Sequence, residues 1–209
     1  MTKYKVMIVE DQTMPRQLFE RYVRESKRFE LAISIDNAAM ADIYCLKHPV
    51  DLILMDVITR EGESGLAAAA RIKRRFPGIK IIIVTSMPEC SFIERARAIG
   101  VESFWYKEIG HEPIERLMER TMAGESIYPD RTPELQLGDA GSYDLTQREL
   151  EVLREMTGGY TNAEIAKRLY MSVSTVKSHI VSMLGKTGFR NRTELAVRAR
   201  ESGLVILDR

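Results

Sequence analysis

The sequence predicts an open, doubly wound α/β domain with a five-stranded parallel sheet, followed by a small all-α domain of four helices. Three observations carry this. Short apolar runs alternate strictly with helix-period stretches through the first part of the chain. A segment rich in Gly, Pro and acidic residues then breaks the pattern. Beyond it the periodicity is wholly helical, with repeated helix-start signals. Strict strand–helix alternation argues for parallel strands joined by helical crossovers, whereas a helical remainder argues for a separate core.

Taken in order, the strand candidates are Lys5–Glu10 (KVMIVE), Leu31–Ile35 (LAISI), Asp51–Asp56 (DLILMD), Lys80–Thr85 (KIIIVT) and Val101–Trp105 (VESFW). The first, third and fourth are near-continuous Val/Ile-rich runs, as expected of strands covered on both faces. Helix-period stretches fall at about 14–27, 39–47, 65–76, 90–99 and 111–122. Gly124–Tyr143 (GESIYPDRTPELQLGDAGSY) has no sustained periodicity and reads as a linker. Thr146-Gln147-Arg148-Glu149 and Thr161-Asn162-Ala163-Glu164 fit the capping box, in which hydroxyl and carboxylate satisfy each other's free backbone N–H. Gly158-Gly159 stops the first C-terminal helix; a third should run from Ser172 or Ser174 to about Lys186, and a fourth from Asn191 or Arg192 to before Gly203. The expected domains are 1–123, a linker at 124–143, and 144–209.

The 209 residues (23.9 kDa) are 44% hydrophobic and 29% charged, an ordinary globular composition. No apolar run approaches the ~20 residues of a membrane span. The start, MTKYKVMIVE, lacks a signal-peptide layout, which points to the cytoplasm. Cys45 and Cys90 form neither a disulfide framework nor a metal-ligand spacing. The net charge of +1 hides a division: residues 1–125 are neutral, 126–144 carry −3, and 145–209 carry +4. A basic terminal domain behind an acidic connector is compatible with a nucleic-acid partner. Arg71 with Lys73-Arg74-Arg75 reads as a solvated helix end, and His48 and His111 as surface residues.

Functional residues collect at the strand ends, where ligands bind in open parallel sheets. Strand one ends in Glu10-Asp11, strand three in Asp56, strand four in Thr85-Ser86, and Lys107 follows strand five. Three converging carboxylates raise proton affinity or recruit a cation, and an oxygen-only set with room for water suits Mg²⁺. Lys107 and Thr85 make sense beside an added anion, so the set is built for a phosphoryl group.

These residues, with Phe104, resemble the CheY-like receiver domain of two-component response regulators over about residues 3–123, a flavodoxin-like fold. The resemblance implies that Asp56 accepts phosphate from a sensor histidine kinase. It implies that Glu10, Asp11, Asp56 and the backbone carbonyl of Ile58 surround Mg²⁺, and that Lys107 pairs with the phosphoryl group. Thr85, with Ser86 beside it, would move toward the phosphate, and Phe104 would rotate inward behind it. The loop Val57–Gly65 departs from the family pattern, lacking its proline and carrying one extra residue.

Leu145–Leu204 resembles the LuxR/NarL-type four-helix DNA-binding domain. The carrying blocks are Leu145–Glu149 with Val152-Leu153, Gly159–Ala166, Ser174–His179 and Asn191–Ala196. Along the third helix, Val176, Ile180, Met183 and Leu184 share one arc, and the small residues Ser174, Ser178, Val181, Ser182 and Gly185 the opposite one. A helix with a small outer face can enter the ~12 Å major groove while Lys177 and His179 reach outward at its edges. The resemblance places Lys177, Ser178 and Val181 toward base edges and Thr175, His179 and Arg192 nearer the backbone, with Ser182 and Thr193 beside them. This set offers no bidentate Arg–guanine or Asn–adenine pair, so phosphates, dimerisation and DNA shape carry most of the affinity.

The whole chain resembles a NarL/FixJ-type response regulator. The expected partners are a sensor histidine kinase, double-stranded promoter DNA and a second copy of the chain, without a membrane. The phosphate is a signal and not a product, so no enzyme is expected. The rival is a DNA-binding regulator whose receiver is a phosphorylation-independent docking or dimerisation module.

Overall fold

The computed structural model describes residues 2–60, 64–89, 91–107 and 112–205; Glu61–Glu63, Cys90 and His111 lie outside the described residues. The chain forms two compact units, the first running to Arg131 and the second from Thr132, with the short segment Met87–Glu89 grouping with the second.

The first unit is a five-stranded parallel sheet in the order β2-β1-β3-β4-β5. Its strands are β1 (Tyr4–Val9), β2 (Phe29–Ile35), β3 (Leu52–Asp56), β4 (Lys80–Thr85) and β5 (Ser103–Tyr106). The helices are α1 (Thr13–Glu25), α2 (Ala41–Lys47), α3 (Gly65–Arg75), α4 (Phe92–Ile99) and α5 (Ile114–Met122). Every sheet pair is parallel; Leu54 of β3 lies opposite Ile8 of β1 and Ile82 of β4. Alternation along the strands divides the core. Val6, Ile8, Leu52, Leu54, Ile82 and Val84 pack with Phe19 and Val23 of α1 and Ile114, Leu117 and Met118 of α5. The intervening Met7, Val9, Ile53, Met55, Ile81 and Ile83 are equally buried on the other face. Both faces are covered, which is why these strands read as unbroken apolar runs.

One local reading is corrected, and a second segment shows more detail than its composition suggests. Lys73 is no solvated helix end: its ammonium lies 2.6 Å from Glu102 and also donates to the carbonyls of Pro77 and Ile79. Arg71 donates to Ala39 O and faces Asp42, leaving Arg74 and Arg75 as the exposed cations. A second difference lies in Gly124–Tyr143, which carries order that its composition hides. Ile127 bridges Ser103 of β5, and β6 (Gln136–Leu137) pairs antiparallel with β7 (Ala140–Gly141). Isolated pairs this short leave no periodicity to detect.

The second unit holds α6 (Gln147–Thr157), α7 (Asn162–Arg168), α8 (Val173–Thr187) and α9 (Arg192–Ser202). Both capping boxes form: Thr146 with Glu149, and Thr161 with Glu164. Ser172 accepts from Thr175 N at 3.0 Å to start α8, and Asn191 accepts from Glu194 N at 2.9 Å to start α9. The core joins Val152, Leu153 and Met156 of α6 to Ile165, Val176, Ile180, Met183 and Leu195, closed by Leu137 from the hairpin. Among the described residues, no helix is long and apolar enough to cross a membrane.

Candidate functional site

In a sheet ordered β2-β1-β3-β4-β5, the crevice opens at the carboxyl ends of β1 and β3, where the connections diverge to opposite sides. Glu10 and Asp11 leave β1 there, and Asp56 closes β3. Their carboxylate oxygens can be chosen within 4.8 Å of one another, with Glu10 and Asp56 buried and Asp11 half-buried. Lys107, just past β5, reaches back across the crevice. Its ammonium lies 2.8 Å from Asp56 Oδ2 and 2.5 Å from Glu10 Oε2. Backbone anchors hold the cluster: Gln12 N donates to Glu10 Oε1 at 3.1 Å, and Lys107 N donates to Thr85 O at 3.0 Å.

Burial pushes the Asp56 carboxyl well above the usual carboxylate range; Lys107 pulls it back and the Glu10 carboxylate pushes it up again. Burial alone would lower Lys107, but Asp56 and Glu10 outweigh it and raise its pKa. A crowded, desolvated carboxylate trio balanced by one ammonium favours added positive charge. Its all-oxygen donors, with Asp11 only half-buried, fit a hard divalent cation that keeps part of its water shell.

The connection after Asp56 is tightly built. Gly65 N donates to Val57 O at 2.8 Å, and Ile58 bridges Ser64. A Cβ on Gly65 would stand 1.8 Å from Asp56 O, so only glycine lets α3 start this close to the strand end. Ile58, the expected carbonyl donor, is exposed beside this bridge. Thr85 is fully buried at the end of β4, Ser86 is half-buried, and Phe104 is buried on β5 beside the Tyr106 ring at 5.0 Å.

In the second unit, α8 presents Ser174, Thr175, Lys177, Ser178, Val181 and Ser182 to solvent, with Val181 69% exposed, while Val176, Ile180 and Met183 face the core. His179 is half-buried at the edge, and Thr193 is exposed on α9. Two of the predicted contact residues have internal work. Ser182 donates to Glu149 Oε1 at 2.7 Å. Arg192 donates to Asn162 Oδ1 at 2.7 Å and to Tyr160 O at 2.8 Å, tying α9 to the start of α7.

Sequence reasoning read Glu149 only as a cap. It is buried, and besides the cap it takes Lys186 Nζ at 2.8 and 3.0 Å, so it also fixes α6 against α8. Burial would raise its pKa, but Lys186, the Thr146 N–H and Ser182 hold it down at about 2. The Lys186 contact spans 37 residues, a separation at which no local pattern signals it.

Two family profiles match the chain: the response regulator receiver domain over residues 6–119, and the bacterial regulatory proteins of the luxR family over residues 144–199. Response regulator protein VraR of Staphylococcus aureus is 30% identical over 211 aligned residues, covering 96% of this chain and 98% of its own. Among solved structures, RcsB of Salmonella enterica serovar Typhimurium, bound to promoter rprA with a beryllofluoride phosphomimetic, superposes with a TM-score of 0.61. It shares 20% identity over 94% of this chain and 98% of that one. ChrA, the response regulator of a heme-sensing two-component system, superposes at 0.52 with 20% identity, over 98% of this chain and all of that one. At these identities the structures bear on fold alone, and the family rests on the profiles and the full-length relative. The chain belongs to the two-component response regulators, with an N-terminal receiver domain followed by a LuxR-type DNA-binding domain.

Proposed function

We propose that Asp56 accepts a phosphoryl group from a sensor histidine kinase, and that this modification switches dimerisation and sequence-specific DNA binding to control transcription in the cytoplasm. One observation carries the reading: Lys107 joins Asp56 and Glu10 in a buried cluster at the sheet's crevice, with Asp11 alongside. Residues 1–123 act as the receiver, 124–143 as the connector and 144–209 as the DNA-binding domain.

In the transfer step an Asp56 carboxylate oxygen attacks phosphorus, forming an O–P bond as the P–N bond to the kinase histidine breaks; the electron pair returns to the imidazole. Mg²⁺, held by Glu10, Asp11, Asp56 and the Ile58 carbonyl, would offset the charge gathering on the phosphoryl oxygens. Phosphorylation takes the group from −1 to about −2 and adds acceptors. Lys107 then exchanges its carboxylate partners for a phosphoryl oxygen. The Thr85 hydroxyl, aided by Ser86, turns to donate to another, and Phe104 fills the space behind it. The phosphate stays on the chain as a signal, so the protein works as a switch and not as an enzyme. On the DNA side, Lys177, Ser178 and Val181 face base edges, and Thr175, His179 and Thr193 the backbone. Ser182 and Arg192 stand beside them, each also held by a hydrogen bond within the domain.

Intact mass after incubation with Mg²⁺ and acetyl phosphate tests the acceptor. Wild type should gain one phosphoryl group, about 80 Da, and Asp56→Asn none. No gain in wild type would overturn the switch and leave the receiver as a phosphorylation-independent docking or dimerisation module.

A further inference from the structure

The chain beyond α5 adds itself to the outer edge of the receiver sheet. β5 is the last strand in the sheet order, so one of its edges faces no other strand. Ile127 pairs there in a parallel bridge with Ser103, its carbonyl accepting from Phe104 N at 2.9 Å and its N–H reaching Ser103 Oγ at 3.3 Å. Ser126 Oγ donates to Glu102 O at 2.9 Å.

The next residue, Tyr128, touches several parts of the same face. Its hydroxyl donates to Val101 O at 2.6 Å, in the connection between α4 and β5. The guanidinium of Arg97, on α4, lies 4.1 Å from its ring centre. Its ring stands 6.3 Å from that of Phe104, tilted by 31°, within the range of a favourable aromatic pair. Phe104, Trp105, Leu117, Ile127 and Tyr128 line one cavity of about 370 Å³.

We propose that Tyr128 is a positioning residue that holds Phe104 in its resting pose and so ties the acceptor site to the segment leading into the DNA-binding domain. The inference rests on the reading of Asp56 as acceptor and Phe104 as the aromatic that turns inward. Tyr128 is fixed by a hydrogen bond, a cation–π contact and the neighbouring backbone bridge, so it cannot follow Phe104 without losing one of them. Rotation of Phe104 therefore breaks the ring contact and is resisted by it. Linkage makes this reciprocal: removing the contact favours the loaded state, and loading loosens Tyr128 together with Ile127 and Ser126. One aromatic contact corresponds to about a fivefold change in that balance.

The test uses the full-length protein and its single tryptophan, Trp105, adjacent to Phe104. Beryllofluoride with Mg²⁺ is titrated while Trp105 emission is followed. Tyr128→Ala should bind beryllofluoride about fivefold more tightly than wild type, with its unloaded emission displaced toward the loaded value. Tyr128→Phe, which keeps the ring against Phe104, should restore most of the wild-type affinity. In a Phe104→Ala background Tyr128→Ala should change the affinity by less than about twofold, because the partner it acts through is gone. Tyr128→Leu replaces the alanine variant if circular dichroism shows that the latter does not fold. A folded Tyr128→Ala or Tyr128→Leu protein with wild-type affinity and emission overturns the inference while leaving the acceptor reading intact. Failure of wild type to bind beryllofluoride overturns both.

Discussion

Two residues concentrate the geometry, one by having no side chain and the other by burying a paired carboxylate. Gly65 begins α3 so close to the end of β3 that a methyl group would collide with the Asp56 carbonyl. Gly65→Ala should therefore cost about 3 kcal/mol, read as a lowered denaturation midpoint, and slow acetyl-phosphate labelling because Asp56 is displaced. Glu149 is the second: a capping carboxylate buried under Lys186 and Ser182. Its folded pKa of about 2 lies below the ordinary 4.5, so its stabilisation is complete above pH 4.5 and is lost as pH falls toward 2. Between those values the wild type should lose about 2–3 kcal/mol that Glu149→Gln, already weaker at neutral pH, lacks. Acid titrations of both proteins followed by circular dichroism should converge near pH 2; parallel curves would remove Glu149 as the source.

At the scale of the element, α8 is built to be seen from one side. Val176, Ile180 and Met183 are covered, while Lys177, Ser178 and Val181 face outward from a helix begun by the Ser172 cap. The cap satisfies the backbone N–H of Thr175, in the first turn, which the helix itself leaves free. Lys177→Ala should weaken binding to the preferred duplex more than to a mixed-sequence one and leave the slope of log affinity against log salt nearly unchanged. Equal weakening on every sequence, with the slope reduced by about 0.9, the value of one released counterion, would move Lys177 from a base edge to the phosphates. The same logic separates Arg192 from Lys177. The Arg192 guanidinium is spent on Asn162 and Tyr160, so its loss acts first on how α9 meets α7.

For the whole molecule, the charge division sets the terms. The neutral stretch of residues 1–125 holds Asp56 and the +4 stretch of residues 145–209 holds α8, with an acidic connector between. A charge of +4 supports only a shallow nonspecific attraction to DNA, so pairing two copies on one duplex is the economical way to gain affinity. Beryllofluoride with Mg²⁺ should raise the dimer fraction of wild type in sedimentation velocity and leave Asp56→Asn monomeric. Equal dimer fractions with and without the phosphomimetic would detach assembly from the acceptor.

The alternating sheet, the helical remainder and the placement of Glu10, Asp11, Asp56, Thr85 and Lys107 at strand ends are readable from the chain, because period, burial and capping are local properties. Thr146 with Glu149 and Thr161 with Glu164 are readable for the same reason: both partners of each box sit within one turn. Other features join residues far apart in sequence. Lys107 bridges to Asp56 across 51 residues, Lys73 turns inward to Glu102 across 29, and Lys186 closes on Glu149 across 37. The order β2-β1-β3-β4-β5 decides which strand ends adjoin, and the free edge of β5 decides that Ile127 and Tyr128 return to the sheet. Local pattern settles which groups reach the rim and which helix face stays small. Which of those groups touch is set by the fold, since a contact between distant residues depends on the path of the chain between them and leaves no trace in local periodicity.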